Sequence, residues 1–176
     1  MEVRPVRDER DVRELTVAHA RAWRAAYTDI LPASVIEGVA DPDPTDERIR
    51  SQYARLTGNS KQDVLVVEDD CGTVRGYAVF RWAVEDTKDS VRANEAELKE
   101  LYIDPEYWDQ GFGTALLETG IGGLPSKIEG IALETLAGNE VGISFYERRG
   151  FEPPGTATFE AEGEQHQTLV YRKSLE

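Results

Sequence analysis

The stretch ELYIDPEYWDQGFGTALLE, Glu100 to Glu118, decides how the rest of the chain is read. Apolar residues up to Ile103 read as a strand, which Asp104 and Pro105 end. A loop then delivers Gln110, Gly111, Phe112, Gly113 and Thr114 to the start of a helix, predicted to run from Gly111 to Ile121 and to stop at Gly122, Gly123 and Pro125. Glycines at 111 and 113 would let backbone N–H groups approach a ligand with no Cβ in the way. The unpaired N–H groups and positive dipole end of a helix favour a phosphate there, without a lysine cluster. The same glycines also suit an ordinary turn. No Gly-Lys-Ser/Thr follows, so this is not a P-loop, and Ala115 to Leu117 stand where a dinucleotide fingerprint needs its third glycine.

Working outward, Val3 to Val6 reads as a strand, and Asp8 offers a cap for a helix carrying Val12, Leu15, His19, Ala22, Ala26 and Ile30 on one stripe. Pro32 opens a second helix over Ser34 to Val39, and Thr45 or Asp46 caps a third that runs to about Leu56. Val64 to Val67 and the alternating Val74 to Val84 read as strands, with Gly76, Ala78, Phe80, Trp82 and Val84 sharing a face. A polar loop covers 85–94, and strand character resumes from Ala96 to Ile103. Ile128 to Leu136 follows as a strand, Glu140 to Arg149 as a short helix closed by Gly150, then strands over Phe151 to Phe159 and Gln167 to Arg172. The expectation is one mixed α/β (α+β) domain over residues 1–176, with about seven strands and four to five helices.

Composition narrows the function. Hydrophobic residues make up 40%, enough for a real core, and no apolar run approaches the roughly 18 residues of a membrane span. The N-terminus, charged from Glu2, lacks the look of a secretory signal, so a cytoplasmic location and no membrane partner are expected. Cys71, alone with His19 and His166, makes a poor metal-ligand set, so no metal is expected. The formal net charge of −14 repels phosphate backbones and argues against nucleic acid. Such a field attracts cationic amines. It also suits an acidic, halophile-like surface in a salty cytoplasm, where the Debye length falls to about 3 Å at 1 M salt, and scattered acids with only five lysines favour that reading.

A second motif is NEVGISFYERRGFE, Asn139 to Glu152. Asn139 stands at a strand-to-helix junction, where its amide can cap the helix or reach a ligand amide. Tyr146 follows Phe145, so one of the two rings is expected to face the core and its neighbour outward.

Together the two motifs resemble the GNAT superfamily of acyl-CoA-dependent N-acetyltransferases, over essentially the whole chain. The family loop Gln/Arg-x-x-Gly-x-Gly/Ala is matched by Trp108 to Gly113, with Trp108 departing at the first residue. Its later Asn…Phe-Tyr-x-x-x-Gly-Phe is matched by Asn139, Phe145, Tyr146, Gly150 and Phe151, with Gly142 where Ala is common and Arg149 where an apolar residue is common. The resemblance implies a mostly antiparallel central sheet flanked by helices. It implies acetyl-CoA as cosubstrate, its pyrophosphate on Gln110 to Thr114 and its pantetheine paired with Leu101, Tyr102 and Ile103. Asn139 would bond the pantetheine region and Tyr146 would sit by the thioester sulfur.

Amide formation needs a neutral amine, yet a primary amine near pKa 10.4 is almost wholly protonated at pH 7. Several family members carry a functional glutamate at the place of Glu97, which makes Glu97 the preferred base, ahead of Glu100. Strict alternation would point the two to opposite faces, unless a bulge reshuffles them. A backbone N–H near Tyr102 or Ile103 would serve the oxyanion, and Tyr146 the departing thiolate. Trp23 and Tyr27 suit either the core or an aromatic wall for a cation, with Glu100 beside them. His19, on the apolar stripe, reads as a satisfied helix residue, while His166 and Cys71 carry no assignment. GEQHQTLVYRK, residues 163–173, is locally similar to the polyamine-acetylating branch. A small cationic amine, with direct transfer in a ternary complex, is the expected acceptor. The alternatives are a protein N-terminus or lysine, or a non-catalytic acyl-CoA sensor; a homodimer is left open.

Overall fold

A computed structural model describes residues 1–175, apart from the side chain of Pro154. Seven strands form one sheet in the order β1-β2-β3-β4-β5-β7-β6. They are β1 (Glu2–Pro5), β2 (Gln62–Glu68), β3 (Val74–Arg81), β4 (Glu95–Ile103), β5 (Gly130–Leu136), β6 (Glu152–Ala161) and β7 (Glu164–Ser174). All neighbours are antiparallel except β4 and β5. The helices are α1 (Glu9–Tyr27), α2 (Ala33–Val39), α3 (Asp46–Thr57), α4 (Phe112–Gly123) and α5 (Glu140–Glu147).

Caps set the helix starts. Asp8 accepts from the Asp11 N–H and Thr45 from the Arg48 N–H, so Thr45 rather than Asp46 caps α3. Helix α4 overruns its expected stop: Gly122 and Gly123 form its last turn, and the chain leaves helical geometry at Leu124, just before Pro125.

Alternation along β2 and β3 divides the core. Leu65, Val67, Ala78 and Phe80 pack toward α4 with Leu116 and Leu117. Val64, Val66, Tyr77 and Val79 pack toward α1 and α3 with Val12, Leu15 and Ile49. At one corner the buried Arg4 of β1 donates to both carboxylate oxygens of Asp11 on α1, at 2.6 and 2.8 Å, and to Glu68 on β2.

Two irregularities in β4 create the site. Its parallel pairing with β5 covers only Glu95, Ala96 and Glu97, opposite Gly130, Ile131 and Ala132. Beyond that both strands continue unpaired to each other, and a gap opens. The second irregularity is a bulge: Val79 faces Glu100 while Phe80 faces Leu98, which leaves Lys99 without a partner on β3.

Candidate active site

The gap is a cleft of about 590 Å³, lined by α1, β4, the loop before α4, the end of β5, and α5. At one end, Gly111 precedes α4 with φ of +87°, a left-handed conformation that glycine adopts without strain. No side chain caps this helix, so the N–H groups of its first turn are left for a ligand. Asp109 is also left-handed, with φ of +58°. Gly113, which lines the cleft, also has a packing reason to be glycine. A Cβ there would lie 3.0 Å from the Phe145 ring, so the missing side chain lets α5 close on α4.

Arg149 supplies what an apolar residue at its position could not. Its guanidinium lies 3.6 Å above the Phe145 ring centroid, donates from Nε and Nη2 to Thr114 Oγ1 and from Nη1 to the Phe145 carbonyl at 2.9 Å, and lines the cleft with Arg148. Burial and the like charge of Arg148 pull its pKa below the ordinary value. The departing Trp108 likewise has a partner, donating from Nε1 to the Ile103 carbonyl at 2.8 Å.

Of the residues the resemblance assigns to the cosubstrate, Leu101, Tyr102, Ile103, Gly111, Phe112, Gly113, Thr114, Asn139 and Tyr146 line the cleft. Gln110 does not; its amide turns back to the Glu106 carbonyl. Asn139 acts as a cap, accepting from the Gly142 N–H while its Nδ2 donates to Thr135 Oγ1 at 2.9 Å and to the Tyr27 hydroxyl at 3.4 Å. The expectation that one ring of the Phe145–Tyr146 pair faces outward is corrected. Tyr146 is only 9% exposed and belongs to the core cluster, and Phe145 packs partly buried against the same cluster. The Tyr146 hydroxyl has no partner among the described residues, while its residue lines the cleft. Burial, reinforced by Tyr27, raises its pKa and keeps the phenol protonated.

The bulge at Lys99 overturns the alternation argument for the two glutamates. Glu100 is opposite Val79 and Glu97 opposite Arg81, which places both on the α1 and α3 face of the sheet. Neither lines the cleft. Glu97 is 4% exposed; burial raises its pKa, against the opposing pull of Lys88, Lys99 and Arg81. Glu100 accepts a 2.6 Å hydrogen bond from the Tyr77 hydroxyl.

Above this face, α1 carries His19, Trp23 and Tyr27 at four-residue spacing. Trp23 stacks on His19 at 5.6 Å and meets Tyr27 edge-on at 4.8 Å, and His19 meets Tyr102 edge-on at 4.7 Å. Of the two expected wall residues, Tyr27 lines the cleft and Trp23 stands behind it. His19 Nδ1 lies 2.8 Å from the Tyr77 hydroxyl. Sequence reasoning missed Tyr77, which sits mid-strand among apolar residues, and the contacts of Arg149.

An open sheet splayed at its one parallel pair, with a glycine-led helix at the mouth of the splay, defines an acyltransferase of the GNAT class. The chain belongs to the acetyltransferase (GNAT) family, whose model matches residues 20–151. No curated protein matches it in sequence. Among solved structures it is similar to the PaiA N-acetyltransferase of Thermoplasma acidophilum in complex with coenzyme A, at 24% identity over 98% of each chain and a TM-score of 0.73. It is also similar to the ribosomal-protein-alanine N-acetyltransferase of Brucella melitensis (22% identity over 99% of this chain and 100% of that one, TM-score 0.71). A phosphinothricin acetyltransferase of Sinorhizobium meliloti in complex with AcCoA shares the fold at 20% identity, over 99% of this chain and 88% of that one, with a TM-score of 0.66.

Proposed function

We propose that the protein transfers the acetyl group of acetyl-CoA to a primary amine by direct attack in a ternary complex. The observation that carries this is the cleft between β4 and β5, which has an uncapped helix start and Arg149 at one end and Tyr146 among its lining residues. The residues present fit the cosubstrate. The first-turn N–H groups of α4 and the free N–H groups of Arg149 suit a diphosphate, and the unpaired edge of Leu101 to Ile103 suits the pantetheine amides. When bound, acetyl-CoA supplies a thioester carbon for attack. A main-chain N–H near Tyr102 stabilises the oxyanion, and Tyr146 gives its proton to the departing sulfur. A base must also take the amine's proton, and Glu97 and Glu100 of β4 are the carboxylates the sequence offers for it, acting through water.

The acceptor we favour is a small cationic amine such as a polyamine. The aromatic wall of Tyr27 and Tyr102, backed by Trp23, with Glu100 on the same face of β4 as Tyr102, supports it. Thiol release from acetyl-CoA against a panel of polyamines, amino acids and N-terminal peptides, at low and high salt, tests the reading. Turnover with a polyamine supports it, turnover with peptides alone replaces the acceptor, and coenzyme A uptake without turnover for any amine replaces the enzyme by a sensor.

A further inference from the structure

We propose that His19 is the group that takes the amine's proton, and that Glu100 and Tyr77 hold it in the tautomer that can do so. This rests on the acetyl-transfer reading above and places the base on a side chain other than the two glutamates named there.

The argument begins with one proton. Tyr77 is 2% exposed, and burial together with the neighbouring Glu100 keeps its phenol protonated. It therefore has a single hydrogen to donate. A carboxylate can only accept, so at 2.6 Å that hydrogen belongs to Glu100. The hydroxyl oxygen must then accept from His19 Nδ1 at 2.8 Å, and Nδ1 carries the N–H. A neutral His19 in this arrangement has its lone pair on Nε2, which has no partner among the described residues.

Position gives the lone pair a use. The His19 ring is not itself in the cleft lining but packs edge-on against Tyr102, a residue that is. On the other side it stacks on Trp23, which also packs against Tyr102. The charged and titratable groups around His19 are Tyr77 from β3, Glu100 and Tyr102 from β4, and Arg48 from α3. Burial and Arg48 lower its pKa from 6.5, against the pull of Glu100, so the ring is neutral at pH 7. By contrast, Glu97 lies under Lys88, Lys99 and Arg81 and has no hydrogen bond to this aromatic group.

The step balances as follows. The ammonium gives one proton to His19 Nε2, which passes it to solvent. The neutral nitrogen attacks the thioester carbon and the C–S bond breaks. The sulfur takes the Tyr146 proton, and the now positive amide nitrogen returns its second proton to the phenolate.

Three variants test this: His19→Ala, His19→Asn, whose amide nitrogen can still donate to Tyr77, and Tyr77→Phe. Thermal midpoints are read alongside to confirm that each is folded. Both His19 variants are expected to lose about 100-fold or more in kcat at pH 7 with the KM for acetyl-CoA unchanged, and to lose the acid limb of the wild-type pH–rate profile. Tyr77→Phe is expected to lose about tenfold, the effect of one hydrogen bond. An acid limb that survives in folded His19→Asn and disappears in Glu97→Gln overturns the proposal, as does kcat within twofold of wild type. If wild-type protein acetylates no amine at all, the acetyl-transfer reading itself fails, a result separate from either outcome.

Discussion

Replacing Arg149 by leucine tests whether a side chain assists the helix start in holding a diphosphate. Leucine is the kind of residue common at this position in the family, so the fold should accept it. Arg149 has five N–H groups, and three are engaged, by Thr114 and by the Phe145 carbonyl. Two remain, on the planar fork that matches a phosphate. A hydrogen bond to a charged group contributes about 1.5–3 kcal/mol, so losing one phosphate contact should weaken coenzyme A binding about 10- to 100-fold. Calorimetric titration with coenzyme A and with dephospho-coenzyme A reads this directly. Both ligands carry the diphosphate, so both should weaken. The deficit should shrink as salt rises, because the wild-type contact is screened. A dissociation constant within twofold of wild type at low salt refutes the reasoning. A loss confined to coenzyme A would move the contact to the 3′-phosphate, and a loss independent of salt would make Arg149 a strut between α4 and α5.

Two further predictions concern protons. Tyr146→Phe should cut kcat about 10- to 100-fold while changing stability by less than about 0.5 kcal/mol, because the lost hydroxyl has no partner in the described structure; unchanged turnover removes Tyr146 from the reaction. Asp11 has its pKa lowered, since burial, which would raise it, is outweighed by Arg4 and the Arg7 N–H. Its stabilisation is therefore present above the unfolded value of about 3.9 and lost as pH falls through the folded value. Urea midpoints should drop between pH 5 and 2, less steeply in Asp11→Asn, which should itself cost about 3 kcal/mol at pH 7, the low end for a broken buried pair because Glu68 still holds Arg4; equal midpoints at pH 7 would count against it.

Much of the architecture was legible because its signals are local. The caps at Asp8 and Thr45, the period-2 run of β3 and the glycine-led start of α4 each lie within a few residues of what they control. The stop of α4 was misplaced by two residues because glycine weakens a helix without ending it; Pro125 sets the limit. In the site, the loop and Tyr146 were found through motifs, whereas Tyr77 and His19 were not. Their link spans 58 positions, and each residue alone fits an apolar stripe. Arg149 was visible as a departure, but only the close approach of α5 to α4 across Gly113 gives it partners.

The single inserted residue at Lys99 connects these findings. A strand of strict alternation that places Leu98 toward α4 would place Glu100 there as well, with a carboxylate in the apolar cluster of Phe80 and Leu116 and no hydroxyl to meet it. The bulge changes parity between 98 and 100. Leu98, Leu101 and Ile103 then all face the α4 cluster, while Glu97, Glu100 and Tyr102 all face α1. One strand thus serves two chemistries. Its free edge past Glu97 borders the cleft, and one face brings a carboxylate beneath Tyr77 and His19. An acceptor approaching from α1 and a thioester lying along the strand edge would meet at Tyr102, which lines the cleft and packs against both His19 and Tyr77.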